Sequence, residues 1–280
     1  MIVNEVINTD QFLVLIKACF LGIVEGFTEF IPVSSTAHLI FIGKLISFDS
    51  CNGMVFEVFI QVGAIFSAIF LFRFYIVEIL CGVIRLDARY LLFSAKIICS
   101  TLPSVIIGAL LIRHIKKLFL CPNIMALSLI IGGFIIIIVE YRKNINHEKT
   151  LSHYTEMYNI SIKQSLYIGF AQCIAMIPGV SRFGATVIGG MLSGLSRSIA
   201  TRYSFIIAIP TMLGAALYDL WSNIDNLSYV DFSNIFIGSL SAFVSAFFIV
   251  KYIVRFVETN TYIAFALYRI AVGFAVLFLN

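Results

Sequence analysis

The chain has 280 residues, 60% of them hydrophobic and only 12% charged, with a formal net charge of +4 and a mean hydropathy of +1.01. Soluble domains carry charge on roughly 25% of their residues, so this chain lacks the polar surface to face water and reads as an integral membrane protein. Its basic residues form no clusters interleaved with aromatics, which gives a nucleic-acid partner no footing, and its six scattered cysteines have no metal-ligand spacing and read as apolar packers.

Glu5 and Asp10 precede the first apolar run and no basic segment does, which argues against a cleaved signal peptide. The apolar stretch near 11–47 is interrupted by Pro32 amid serine and threonine. A mid-helix proline removes a backbone hydrogen bond, so the stretch is predicted to be helix, loop, helix, dipping into the bilayer and returning to the same side. Full-length spans follow at about 54–73, 91–113 and 118–139. In this topology Cys51 and Cys121 fall on one side, where a disulfide is conceivable. A polar stretch at about 140–162 reads as a linker in which His147 and His153 are solvated. A second broken stretch, 163–195, is interrupted by Pro178, and spans at 203–221, 233–254 and 262–279 complete the chain. Pro103 and Pro210 are expected to kink their spans, and the pairs Gly132-Gly133 and Gly189-Gly190 to permit close helix contact.

The two broken stretches are related: Gly22, Glu25 and Ser34 recur as Gly169, Gln172 and Ser181, at a constant offset of 147. Each half is then one re-entrant segment followed by three spans, and an odd number of crossings inverts the second copy. The expected fold is therefore an all-α integral membrane protein, a single membrane domain built as an inverted-topology repeat. Repeat 1 covers about 11–139, a cytoplasmic linker about 140–162 and repeat 2 about 163–280. Most basic residues, among them Arg73, Arg85, Arg89, Arg142, Lys143, Arg197, Arg202 and Lys251, gather on one side, against Lys44, Arg113, Lys116 and Lys117 on the other. The richer side is expected to be cytoplasmic, with both termini outside.

Glu25 and Glu29 lie four residues apart and share a helical face. One ion at the bilayer centre costs at least about 2.5 to 3.5 kcal/mol, so two need a reason: together they could hold a hard divalent cation, or one could accept a proton while the other stays neutral. After Pro32, Ser34, Ser35 and Thr36 can cap the returning helix and offer its N–H groups to an anion, and His38 is spaced to reach the Ser34 or Ser35 hydroxyl as a base. In the second stretch Gly179 permits a tight turn, and Ser181, Arg182 and Thr186 present donors beside another helix start. The guanidinium fork of Arg182 suits phosphate oxygens. Glu57, Gln61, Lys96 and Arg269 could line the site or pair elsewhere; a structural role is favoured for Lys96 and Arg269.

EGFTEFIPVSSTAH and PGVSRFGAT resemble the two signatures of the undecaprenyl-pyrophosphate phosphatase family, also called the bacitracin-resistance protein family, and the likeness extends through GGMLSGLSR, IPTMLGAALYDL and FALYR. The resemblance implies a homodimeric enzyme of the bacterial inner membrane that hydrolyses undecaprenyl pyrophosphate, recycling the lipid carrier of peptidoglycan synthesis. It places the family's acidic pair on Glu25 and Glu29, its serine and histidine on Ser35 and His38, and its second-loop residues on Ser181, Arg182 and Thr186. It also implies a divalent cation, Mg2+ or Ca2+, with Glu25 and Glu29 as ligands. Phe183 departs from the family, which usually has serine there.

The expected mechanism has Ser34, Gly179, Ser181, Arg182 and Thr186 around the pyrophosphate while Ser35 attacks, assisted by Glu29 and His38. Ser34, His38 or an activated water are alternative nucleophiles. A secondary transporter or flippase for an anionic or polyprenyl-phosphate lipid is the rival, because inverted repeats with broken helices are also the transporter plan. A phosphatidic-acid-type phosphatase is disfavoured, since PVSSTAH lacks that class's PSGH.

Overall fold

A computed structural model describes residues 2–48, 55–119, 121–143, 157–223 and 229–279. Among them the protein is entirely helical: α1 (Ile2–Thr28), α2 (Ser35–Leu45), α3 (Val55–Leu71), α4 (Arg73–Ile84), α5 (Ala88–Leu118), α6 (Pro122–Lys143), α7 (Ile162–Ile174), α8 (Arg182–Leu192), α9 (Arg197–Asn223), α10 (Tyr229–Thr259) and α11 (Ile263–Leu279). Five helices are long and apolar enough to cross a bilayer, in α1, α5, α6, α9 and α10. The chain is a multi-pass membrane protein.

Both proline-interrupted stretches are helix pairs. α7 and α8 have 13 and 11 residues, and at 1.5 Å per residue each reaches roughly 20 Å or less, short of the roughly 30 Å hydrocarbon core. α1 differs, because it starts at Ile2 rather than near residue 11 and runs 27 residues before its break. The span expected at 54–73 is also modified: α3 and α4 together are long and apolar enough for one span, but the two are bent by 76°. At the bend the Arg73 guanidinium donates to the Phe70 carbonyl and lies over the Phe70 and Phe74 rings. α4 then buries Tyr75, Ile79 and Gly82 at helical spacing. Pro103 and Pro210 lie inside α5 and α9, which continue through both.

Small residues decide which helices approach closely, since lipid gives apolar side chains no reason to prefer protein. A Cβ on Gly22 or Gly26 of α1 would collide with α10 at Gly238, Ser241, Ala242 or Ser245, and one on Gly169 of α7 would meet Ser100 and Pro103 of α5. Gly132 and Gly133 seat Arg269 and Ile270 of α11, while Gly189 and Gly190 sit against Ala171 of α7 and Ala200 of α9. The packing falls into matched pairs: α1 on α10 and α7 on α5, α3 on α10 and α9 on α5, α2 on α1 and α8 on α7. α3 also packs on α9, and α6 on α11.

The core is aromatic where the halves meet. Phe205 of α9 packs against Phe30 after α1, Phe72 at the α3–α4 bend, and Phe183 of α8. The expected linker is folded in at both edges: Glu140 is fully buried with Arg197, and Met157, Tyr158 and Ile160 are buried. Lys96, as expected, is structural, donating to the Tyr158 carbonyl at 2.7 Å. His147, His153 and Cys51 lie outside the described residues; Cys121 is a free thiol.

Candidate functional site

Two loops meet at the centre. The first, residues 29–34, leaves α1 through Pro32 and enters α2 at Ser34, whose φ of 69° is left-handed for a residue with a side chain and costs on the order of 1–3 kcal/mol. Ser34 makes no side-chain cap. The second loop, residues 175–181, turns at Gly179 with φ 89°; a Cβ there would strike the Met125 backbone, so glycine is required. Ser181 caps α8, its Oγ accepting from the Gly184 N–H at 3.0 Å, and it donates to the Ile31 carbonyl of the first loop at 3.4 Å.

Between them lies a cavity of about 200 Å3 whose polar wall includes Glu29, Ser34, Ser35, Thr36, Ser181 and Arg182. Glu29 is the hub: its Oε2 accepts from the Ser35 hydroxyl at 2.6 Å, and its Oε1 accepts from Arg182 Nη2 at 2.9 Å. The three residues come from α1's end, α2's start and α8's start. Arg182 keeps Nε and Nη1 buried without a partner, the kind of unpaired donors that a phosphate oxygen satisfies. Glu25, one turn before Glu29, is fully buried; neither of its carboxylate oxygens has a hydrogen-bond partner. Its electrostatic neighbours are Glu29, Ser35 and Arg182.

Other expected site residues are turned away from the cavity. His38 was expected to reach a serine hydroxyl, but its Nδ1 contacts the Ser34 carbonyl at 2.8 Å and its Nε2 the Tyr268 hydroxyl at 2.9 Å. A carbonyl can only accept, so Nδ1 carries a proton toward Ser34, and in the neutral ring Nε2 is the acceptor for the Tyr268 hydroxyl. Thr186 is buried, its hydroxyl donating to the Arg182 and Phe183 carbonyls of its own helix. Phe183 is fully buried against Phe205 and Tyr262, so this position faces the aromatic core. Gln61 of α3 and Thr211 of α9 line the cavity. Thr211, absent from the sequence reading, accepts from the Gln172 amide at 3.3 Å; an isolated threonine in an apolar span gives no signal without its neighbours.

A family model described as Bacitracin resistance protein BacA matches residues 18–275. The chain belongs to the BacA family. Curated relatives agree along nearly the full length. An undecaprenyl-diphosphatase of Bordetella parapertussis is 47% identical over 281 residues, covering 96% of this chain and 97% of the relative. Undecaprenyl-diphosphatase 2 of Shewanella oneidensis is 48% identical over 265 residues, covering 95% and 98%; undecaprenyl-diphosphatase 3 of Acinetobacter baylyi is 48% identical over 262, covering 94% and 96%. In this BacA-family chain both loops and the cavity between them fall inside the matched region.

Proposed function

We propose that this chain hydrolyses undecaprenyl diphosphate to undecaprenyl phosphate and inorganic phosphate in the bacterial inner membrane, recycling the lipid carrier of peptidoglycan synthesis and conferring bacitracin resistance. The observation that carries the reading is the simultaneous hold of Glu29 on the Ser35 hydroxyl and on Arg182, inside one cavity. Phosphoryl transfer is catalysed mostly by positioning and charge neutralisation. The free Nε and Nη1 of Arg182 receive phosphate oxygens, with Ser34 and Ser181 beside them. Ser35 Oγ attacks the terminal phosphorus and its proton passes to Glu29. The bond from that phosphorus to the bridging oxygen breaks, releasing undecaprenyl phosphate. Water then attacks the phosphoserine phosphorus and the bond from it to Ser35 Oγ breaks; Oγ takes back the proton held by Glu29, and both protons of the water leave with the inorganic phosphate. Gly179 and Thr186 shape the second loop, and His38 fixes the start of α2. The C55 tail stays in the bilayer, because roughly 0.8 kcal/mol per buried CH2 opposes its leaving.

A Mg2+ or Ca2+ ion is part of the proposal, held by Glu25 and Glu29. Two buried carboxylates one turn apart, with both Glu25 oxygens unpartnered, are the hard oxygen donors such a cation takes. When bound, the ion would neutralise charge on the phosphate oxygens. We further propose the inverted repeat, with boundaries near 11–139 and 163–280, which the matched helix contacts support; both termini outside; and a homodimer.

Protein purified in detergent should release phosphate from a prenyl diphosphate. Arg182→Ala or Glu29→Ala should lower kcat on the order of a thousandfold or more, and EDTA should remove activity that Mg2+ or Ca2+ restores. A transporter or flippase would move labelled lipid between leaflets and release no phosphate; that result would replace the phosphatase reading.

A further inference from the structure

Arg269 of α11 is 2% exposed, and its guanidinium is spent on backbone. Nε donates to the Leu129 carbonyl at 2.9 Å and Nη1 to Pro32 at 2.9 Å. Nη2 is shared between Gly179 at 2.9 Å and Ser128 at 3.2 Å. Among the described residues it belongs to no ion pair. Pro32 lies three residues from both Glu29 and Ser35, and Gly179 three residues before Arg182. One rigid, planar fork therefore joins the loop that carries the acid and the hydroxyl to the loop that carries the phosphate-binding arginine, and ties both to α6. The preceding residue, Tyr268, meets His38 at 2.9 Å, so the same turn of α11 also holds α2.

A cation in a low-dielectric interior ordinarily finds a carboxylate. Here carbonyl dipoles alone receive it, from both loops and from α6. A lysine cannot replace the fork, since its ammonium is one compact point without the planar spread of a guanidinium. Gly132 is part of the arrangement: a Cβ there would lie 2.5 Å from Arg269 Nη2 and 2.8 Å from Cζ. The end of an arginine side chain usually gives way easily, but four backbone contacts pin this one.

We propose that Arg269 is a positioning residue for phosphate release: it sets the spacing of the two loops, so that Arg182 meets Glu29 and Ser35 at catalytic distance. The proposal rests on the phosphatase reading above. A displacement of about 1 Å at reacting groups costs on the order of a hundredfold in rate. Arg269→Lys, which keeps the charge and loses the bridge, is expected to lower kcat about a hundredfold and to change KM less than about threefold. Gly132→Ala, which leaves the arginine present and pushes its fork aside, should move kcat in the same direction by about tenfold or more.

The experiment is steady-state phosphate release from a prenyl diphosphate in detergent. It compares wild type, Arg269→Lys, Gly132→Ala, and Lys96→Met as a control that loses a buried cation whose partner is the Tyr158 carbonyl and neither loop, with thermal unfolding of each. Should the wild type release no phosphate, the phosphatase reading fails first. With an active wild type, a fall in kcat for Arg269→Lys and Gly132→Ala, exceeding that of Lys96→Met at matched melting temperature, supports the positioning role. Unchanged kcat in both loop variants, or a loss that only follows the folded fraction as in Lys96→Met, overturns it.

Discussion

Glu29 accepts from a hydroxyl on one oxygen and from a guanidinium on the other, so its substitution separates two effects. Glu29→Gln keeps the shape and removes the proton acceptor; general-base loss is expected to lower kcat by roughly a hundredfold to ten-thousandfold, read as phosphate release at saturating substrate. Phe183 sits among Phe205 and Tyr262 with no exposure. Phe183→Ser should therefore cost on the order of 3–5 kcal/mol in stability and give no gain in kcat, measured by thermal unfolding beside the activity assay. The acids, serines and Arg182 were legible as a site because charge is rare and costly in an apolar chain. Arg269 carried the same signal, but its meaning depends on the four carbonyls that receive it, and carbonyls are the same in every residue.

The helices were legible as elements because proline and polar residues interrupt otherwise continuous apolar runs. Pro32 and Pro178 mark real breaks, whereas Pro103 and Pro210 lie within unbroken helices. At the second break Ser181 caps a new helix, and at the first the chain re-enters a helix through the left-handed Ser34. The bend between α3 and α4 had a weaker sign, one arginine inside an apolar run. Helix pairing is set by small residues, so Gly22→Leu, which drives a side chain into Gly238 and Ser241 of α10, should destabilise the fold by about 1–3 kcal/mol. A lower melting temperature in detergent would report it; an unchanged one would mean that α1 and α10 have slack.

For the whole molecule, the charge distribution and the proposed inverted repeat put the α5–α6 turn on the outer face. Cys121, exposed at that turn, should then react with a membrane-impermeant thiol reagent added outside intact spheroplasts, in a protein whose other cysteines are removed. Labelling only after permeabilisation would reverse the proposed orientation.

Composition alone determined the solvent of this protein, because no arrangement of 12% charged residues clothes a soluble surface of this size, and motif spacing marked the residues of the candidate site. The direction in which each polar side chain faces was decided only in three dimensions. His38 turns to Tyr268, Thr186 to its own helix, and Phe183 to the aromatic core. Arg269 reaches Pro32 across 237 positions of sequence. A polar group in a low-dielectric interior takes whichever partner the packing brings within about 3 Å, from its own helix for Thr186 and from the other half of the chain for His38 and Arg269.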